Sequence, residues 1–341
     1  MRNPLRLEFA IRGIALFLAT TASGTSAQPA QPDAQAWLTR VQQSAQRLNY
    51  SGTFVFMQGG GQTQTSRITH IFDRGSERER IEVLDGAAIV VLRTNDEVKS
   101  YLPESKTVLI ERRRGKAVFP ALLIDQVASI AEHYSLRKLE SARVAGRDCH
   151  AFALEPRDGL RYGQRLWAEV QHGLLLKSQT INERGEVVEQ IAFTEIEIGG
   201  PAERYAARLG RPLAGRDWRT VSPPVTPARL AELGWRIDAV PPGFRRMLEI
   251  RRGIGDAEVG HVVFSDGLAS VSVFVEAMKA GANPVEGHAV QGAVNVYRRR
   301  VGDHLVTVLG EAPPALVSRI GAAVEFRPGT ATLSGQVNNK R

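Results

Sequence analysis

Three residues of the chain have the types of a hydrolytic triad, because a histidine, a serine and an aspartate stand close together at His261, Ser265 and Asp266. In such a triad the serine attacks, the histidine takes its proton and the aspartate orients the histidine. The members of a triad usually converge from different elements, whereas these three lie in one short segment. Ser265-Asp266-Gly267 also joins two strand-like runs, which favours a hairpin turn. We therefore predict a structural role for this segment.

The rest of the sequence lacks the spacing patterns of common hydrolases and metal sites. It contains no GxSxG, HExxH, CxxC or Gly-rich phosphate-binding motif. Its seven histidines are scattered, and no two stand at the i, i+4 spacing with which a helix presents two ligands to zinc. We predict that the protein is not an enzyme and that it needs no cofactor and no metal.

The elements that would position side chains in the first part of the chain are mostly strands. Residues 33–48 carry apolar side chains at helical spacing, and Asp33 is a candidate N-cap. From Tyr50 the period changes to two, and short strands follow at regular intervals up to residue 198. A second helix is predicted over 120–133. This order favours one large curved sheet with helices on a single face.

The composition changes after residue 198, where prolines become frequent and no long periodic run continues. We predict a linker over 199–225 between a first domain, 28–198, and a second domain, 226–326. The second domain contains further strand-like runs and a helix over 314–324, which indicates a smaller α+β unit. Residues 327–341 are polar and aperiodic and are predicted to be a disordered tail.

The first 27 residues have the pattern of a secretory signal peptide. Three arginines, Arg2, Arg6 and Arg12, precede an apolar run over 13–22, and small residues follow this run up to Ala27. The apolar run is shorter than the roughly 20 residues that a membrane-spanning helix needs. We predict cleavage between Ala27 and Gln28 and a mature chain in the periplasm.

The charge balance bears on the kind of partner. The full chain has a formal net charge of +8, most of which lies outside the predicted signal peptide. On an exported protein this excess favours an acidic partner, such as a negatively charged peptide, a lipid or lipopolysaccharide, although general solubility would explain it as well. Export also makes nucleic acid a poor partner.

Two runs of three arginines are the densest basic clusters of the predicted mature chain. Arg112, Arg113 and Arg114 follow a strand and precede an apolar stretch, a combination that suits an amphiphile with an anionic head and an acyl tail, or an acidic peptide. Arg298, Arg299 and Arg300 form a similar run in the second domain, and we assign partner binding to them. Each run is equally compatible with an ordinary solvated surface.

Several segments carry motifs that are specific rather than generic. In the first domain they include Tyr50-Ser51-Gly52-Thr53-Phe54-Val55-Phe56, Glu79-Arg80-Ile81-Glu82-Val83-Leu84-Asp85-Gly86, Arg161-Tyr162-Gly163 and Gly173-Leu174-Leu175-Leu176-Lys177-Ser178. In the second domain they include Pro242-Gly243-Phe244, Ser265-Asp266-Gly267-Leu268-Ala269-Ser270-Val271-Ser272-Val273-Phe274 and Gly292-Ala293-Val294-Asn295-Val296-Tyr297. Taken in order, these segments resemble the RseB/MucB family of periplasmic sigma-E factor regulatory proteins over nearly the whole predicted mature chain.

The resemblance implies an α+β fold with a large N-terminal half-open antiparallel β-barrel, covered by helices as in lipoprotein carriers, and a smaller C-terminal α+β domain. It also implies binding to the periplasmic segment of a membrane-bound anti-sigma factor. The protein would protect this segment from proteolysis until lipopolysaccharide or the acyl chains of a lipoprotein displace it. Homo-oligomerisation is left open.

If an amphiphile enters the barrel, the inward face should include the aromatic residues Phe54, Phe56 and Trp167, with Arg112 to Arg114 near the mouth. The same aromatic side chains are equally compatible with an ordinary core. The alternative function is a periplasmic lipid or lipoprotein carrier without a regulatory partner. The second domain argues against this alternative, because a simple carrier would not need it.

Overall fold

The computed structural model describes residues 31–112, 119–120, 127–210, 215, 217–222, 225–227, 229–254, 257–279 and 281–327 of the 341-residue chain. Their backbone forms a 12-stranded sheet, a 7-stranded sheet and a small two-stranded sheet, with four α-helices. The fold class predicted from the sequence, a large open antiparallel sheet with few helices and a smaller α+β domain, is confirmed. The predicted signal peptide and its cleavage residues Ala27 and Gln28 lie outside the described residues.

The first sheet contains twelve strands in the part of the chain that is described. They are β1 (Tyr50–Gln58), β2 (Thr63–Asp73), β3 (Ser76–Val83), β4 (Val90–Thr94), β5 (Glu97–Leu102), β6 (Thr107–Arg112), β7 (Tyr134–Val144), β8 (Arg147–Pro156), β9 (Gly163–Glu169), β10 (Leu175–Ile181), β11 (Val187–Ile198) and β12 (Arg219–Val221). Their order is β12-β6-β5-β4-β3-β2-β1-β11-β10-β9-β8-β7. Strands β1 to β6 and strands β7 to β11 each form consecutive hairpins, and the pairing of β1 with β11 joins the two halves into one sheet. All neighbours are antiparallel except β12, which runs parallel to β6. The sheet is open, with β12 and β7 at its edges.

Helix α1 (Gln31–Arg47) covers one face of this sheet. Its apolar stripe buries Leu38 and Val41 completely and brings Ala45 against the core around Phe54. The described part of the helix starts at Gln31, so Asp33 lies inside the helix and the prediction that Asp33 is its N-cap is wrong. Helix α2 (Val127–His133) is the described part of the helix predicted over 120–133.

The segment predicted as a linker is partly ordered against the first sheet. Helix α3 (Glu203–Leu209) buries Tyr205, whose hydroxyl donates a hydrogen bond to the Gly199 carbonyl at 2.6 Å. Further along, β12 pairs with β6. Strand pairing satisfies backbone groups that a free linker would leave to water. The domain boundaries themselves stay predictions.

The second sheet and its neighbours lie beyond this segment. The strands are β13 (Val225–Pro227), β14 (Trp235–Ile237), β15 (Arg245–Ile254), β16 (Ala257–Ser265), β17 (Ser270–Ala277), β18 (Gly287–Gln291), β19 (Val294–Val301), β20 (His304–Gly310) and β21 (Val324–Phe326), with α4 (Pro314–Ala322) between the last two. The order of the sheet is β13-β15-β16-β17-β20-β19-β18, and β14 pairs with β21. Helix α4 buries Leu316, Val317 and Ile320 against one face. This agrees with the helix predicted over 314–324.

The two large sheets have separate apolar cores and belong to one compact unit. Among the residues that the structure describes, no helix has the length and apolar character needed to cross a membrane.

Candidate functional site

A cluster of three phenylalanines lies on the face of the first sheet that α1 covers. Phe54 is 6% exposed, and its ring centroid lies 5.8 Å from that of Phe119 and 5.9 Å from that of Phe193. The rings of Phe119 and Phe193 are 5.2 Å apart. Phe56 lies on the same face of β1, half-buried and opposite Ile191. These rings pack together in the apolar core of this face, which is the region that the sequence offered for an acyl chain.

Trp167 lies on the other face of the sheet. It stands opposite Lys177, which stands opposite Ala192, and Ala192 stands opposite Val55. Paired residues share a face and consecutive residues alternate, so Trp167 points away from the face that holds Phe54. The Lys177 ammonium lies 4.7 Å from the centre of the Trp167 ring, and burial lowers the pKa of Lys177. The register therefore places Trp167 on the face opposite Phe54 and Phe56, while its half-buried ring packs against the apolar cluster that contains Phe54. Its assignment to the inward face stays a prediction.

Arg112 is exposed at the end of β6, opposite Glu97 on β5. In the order of the sheet, β6 is five strands from β1. The structure therefore does not place Arg112 beside Phe54 within the sheet. Arg113 and Arg114 lie outside the described residues.

The second arginine run occupies β19, where strand alternation divides it. Arg298 and Arg300 are exposed on the face opposite α4, while Arg299 is half-buried on the other face and donates a hydrogen bond to the Val324 carbonyl. Arg300 donates from Nε to the Gly302 carbonyl at 2.8 Å. Arg299 thus ties β19 to β21, which leaves Arg298 and Arg300 as the members of the run that face solvent.

The residues first considered as a triad do not form one. The Nε2 atom of His261 lies 3.2 Å from the Ser272 hydroxyl, and the Ser265 hydroxyl donates to the Ala269 carbonyl at 2.8 Å. Ser265 therefore stabilises the turn between β16 and β17, as predicted for this segment. Asp266 points away from both residues and across to the first sheet.

A buried ion pair joins the two sheets at Asp266. The Arg161 side chain, between β8 and β9, is fully buried, and its Nε donates to Asp266 Oδ2 at 2.7 Å. The other guanidinium nitrogens donate to Asp158 and to the Pro242 carbonyl. The Phe244 ring lies 4.8 Å from the centre of the guanidinium group. Each of the three guanidinium nitrogens of Arg161 therefore donates a hydrogen bond to an acceptor, as a buried charge requires.

Asp266 is held from both sides. Its Oδ1 accepts hydrogen bonds from the backbone N–H groups of Leu268 and Ala269 at 3.0 and 2.8 Å. Its Oδ2 accepts a third from the Tyr134 hydroxyl at 3.0 Å, across the junction. Burial, followed by the Asp266 charge, raises the pKa of Tyr134 well above its usual value. Tyr134 therefore remains a neutral donor to the carboxylate.

Three more contacts continue the junction between the sheets. The Asn295 side-chain amide donates to the Tyr162 hydroxyl at 2.8 Å. Gly243 has a φ of 86°, and a Cβ at this position would lie 2.3 Å from the His133 ring. On β11, burial and the nearby charge of Glu311 raise the pKa of Glu189 to about 8. These contacts add two side-chain pairs and one close backbone approach to the hydrogen bonds around Asp266.

Sequence reasoning missed this junction, although the signal was present. Arg161 and Asp266 both lie in segments that carry the family resemblance, in Arg161-Tyr162-Gly163 and in Ser265-Asp266-Gly267. They are more than 100 residues apart, and no local pattern connects residues at that separation. Both motifs therefore contribute a buried charge to the junction between the sheets.

One group of three residues, among those described, has a geometry that could hold a metal ion: His70, Glu77 and Glu79. Arg93 already pairs with Glu77, and its guanidinium lies 3.8 Å from a Glu79 oxygen. The Nδ1 atom of His70 lies 2.8 Å from the Leu48 carbonyl, so this nitrogen acts as a donor. Burial raises the pKa of Glu79. A guanidinium therefore occupies the place of a cation, and the group is a buried ion-pair network.

Comparison with known proteins covers both sheets. The model of the MucB/RseB N-terminal domain matches residues 33–211, and that of the MucB/RseB C-terminal domain matches residues 229–325. The sigma factor AlgU regulatory protein MucB of Pseudomonas aeruginosa is 31% identical over 88% of this chain and 92% of its own length. The sigma-E factor regulatory protein RseB of Haemophilus influenzae is 23% identical over 94% of this chain and 98% of its own length.

Solved structures agree with this assignment. The crystal structure of MucB in complex with MucA(peri) is 28% identical, has a TM-score of 0.67 and covers 87% of this chain and 100% of its own. The complex structure of Pseudomonas aeruginosa MucA/MucB is 29% identical over 87% of this chain and 100% of its own, with a TM-score of 0.69. The chain, which carries both matched domains in their order, therefore belongs to the MucB/RseB family.

Proposed function

We propose that this chain is an exported negative regulator of an envelope-stress sigma factor, which binds the periplasmic segment of a membrane anti-sigma factor. The observation that carries the proposal is the likeness, over 87% of the chain, to MucB structures solved in complex with MucA. The relatives from two organisms are also sigma factor regulatory proteins by name. Cleavage between Ala27 and Gln28 would release the mature chain into the periplasm.

The regulation we propose needs binding alone and no catalytic group. While bound, the protein shields the anti-sigma segment from proteolysis, so the sigma factor stays silent. An envelope amphiphile, lipopolysaccharide or the acyl chains of a lipoprotein, favours the released state and shifts the population by its differential affinity for the two states. The phenylalanine cluster on the α1 face is the surface we assign to the acyl chain.

The alternative function is a lipid or lipoprotein carrier without a regulatory partner. The extent of the second domain favours the regulator, because residues 229–325 form a second sheet with its own core and match a C-terminal domain specific to this family. The buried ion pair at Asp266 holds that sheet against the first one. A carrier would need only the first sheet and its covering helix.

Calorimetry tests the proposal with the chain 28–341 and the periplasmic segment of the anti-sigma factor. We expect tight binding that lipopolysaccharide fragments abolish. Absence of binding at tens of micromolar, with the fragments still bound, would reject the regulator and leave the carrier. The variant Phe193→Ala should reduce the effect of the fragments, while Phe326→Ala, an exposed phenylalanine of the second sheet region, should not.

A further inference from the structure

The edge strand β18 lacks the features that usually protect a sheet edge. It is the outermost strand of the second sheet, and its sequence, Gly-His-Ala-Val-Gln, contains no Lys, Arg, Asp, Glu or Pro. Val290 is 67% exposed, and Val285, just before the strand, is 80% exposed. Natural edges are normally blocked by charges, prolines or bulges, because an open edge pairs with other chains. An unprotected edge beside exposed valines is therefore suited to accept a strand.

The register shows which backbone groups of β18 face outwards. The two residues Gly292 and Ala293 join Gln291 to Val294, and Gly292 has a φ of 60°, as in a two-residue hairpin turn with glycine first. The residues that flank such a turn exchange hydrogen bonds, and alternate pairs follow the same rule. His288 and Val290 therefore direct their N–H and C=O groups away from β19.

A side-chain contact on β19 agrees with this alternation. The Arg300 N–H donates to Glu286 Oε2 at 2.8 Å, so the backbone of Arg300 faces the β18 side. Val294 stands an even number of residues before Arg300 and faces the same side. The backbone groups of His288 and Val290 are thus available for a further strand.

The sheet face beside this edge has both an apolar recess and positive charge. A recess of about 490 Å³ on the face opposite α4 is lined by Phe274, Leu305, Val285 and Arg298, with Glu276 at its side. On β18, the residue opposite Arg298 is Gly287, which has no side chain to cover the guanidinium. None of the ion pairs found among the described residues involves Arg298, which leaves its charge open towards the edge.

We propose that the β18 edge binds an extended, acidic segment of a protein partner, which adds to the second sheet as a further strand. This inference rests on the proposed function and assigns the segment to the anti-sigma factor. Main-chain hydrogen bonds to His288 and Val290 supply affinity, and alternate side chains supply specificity. Because Arg298 lines the recess beside this edge, the segment should carry an acidic residue that lies next to it.

The test measures binding of the fluorescently labelled periplasmic anti-sigma segment to the full chain 28–341 and its variants by anisotropy. Val290→Pro removes one outward N–H and none of the donors that face β19, and proline is tolerated at such edge positions. Val290→Thr is the matched control, because it changes the side chain and keeps the N–H. We expect at least about tenfold weaker binding for Val290→Pro and less than about twofold for Val290→Thr.

A charge variant and amide exchange complete the test. Arg298→Glu should also weaken binding about tenfold, and the amides of His288 and Val290 should gain protection from exchange only when the segment is bound. Wild-type binding that neither Val290→Pro nor Arg298→Glu changes would overturn the inference and leave the proposed function standing. Failure of the wild type to bind would overturn both. Dimerisation that Val290→Pro abolishes, with segment binding intact, would assign the edge to a second copy and reject the proposal.

Discussion

Replacing Asp266 by asparagine tests whether the buried ion pair holds the two sheets together. The carboxylate and the Arg161 guanidinium are both buried, with side-chain exposures of 1% and 0%. Asparagine keeps an oxygen for the N–H groups of Leu268 and Ala269 but turns an NH2 group towards Arg161 Nε. Removal of one partner from a buried pair costs about 3–5 kcal/mol.

We expect a cost near the lower limit of this range, about 3 kcal/mol, because Arg161 retains Asp158 and the Pro242 carbonyl as acceptors. A loss of this size is a large part of the roughly 5–15 kcal/mol by which proteins of ordinary size are stable. Urea unfolding of the chain 28–341, followed by circular dichroism and by tryptophan fluorescence, measures it. The two signals must coincide before a single free energy of unfolding is derived.

The matched control for this measurement is Asp303→Asn. Asp303 is an exposed carboxylate of the second sheet, 3.9 Å from Arg300, and its loss should change the free energy of unfolding by less than about 1 kcal/mol. If Asp266→Asn destabilises the chain no more than Asp303→Asn does, the remaining acceptors satisfy Arg161 and the ion pair does not hold the junction.

Three further changes at the junction have defined outcomes. Tyr134→Phe removes one hydrogen bond to the buried carboxylate and should lower the free energy of unfolding by about 1–3 kcal/mol, measured with urea. Because the pKa of Glu189 is raised to about 8, the folded state holds a proton that the unfolded state loses above about pH 4.5, so stability should fall as pH rises from 5 to 8. Glu189→Gln should reduce this fall in a series of melting temperatures, and an unchanged slope would contradict the assignment. Gly243→Ala should lower the melting temperature more than Gly302→Ala does, since both glycines have positive φ but only the first has another side chain within 4 Å.

Sequence reasoning predicted the elements well where the signal was local. The period of two in Tyr50–Gln58 predicted a strand, and the apolar spacing of Pro314–Ala322 predicted a helix with one buried face, because both patterns involve residues that are close along the chain. The order of the motifs also identified the family that both domain models match. The start of α1 was misplaced, because Asp33, the predicted N-cap, lies inside the helix.

The tertiary structure alone decided which residues of the candidate sites meet. Two strands lie between those of Trp167 and Phe54, and the register of three strand pairs, which no single segment reveals, sets the face of each side chain. The fold of the two sheets brought Arg161 and Asp266 together. Both side chains are buried there, and a buried charge is stable only beside an opposite charge. The sequence by itself thus determined the strands, the helices and the family. The pairing of strands and the docking of the sheets determined on which face each candidate residue lies and which residues it meets. Both depend on contacts between residues that are distant along the chain, which no local pattern in the sequence reveals.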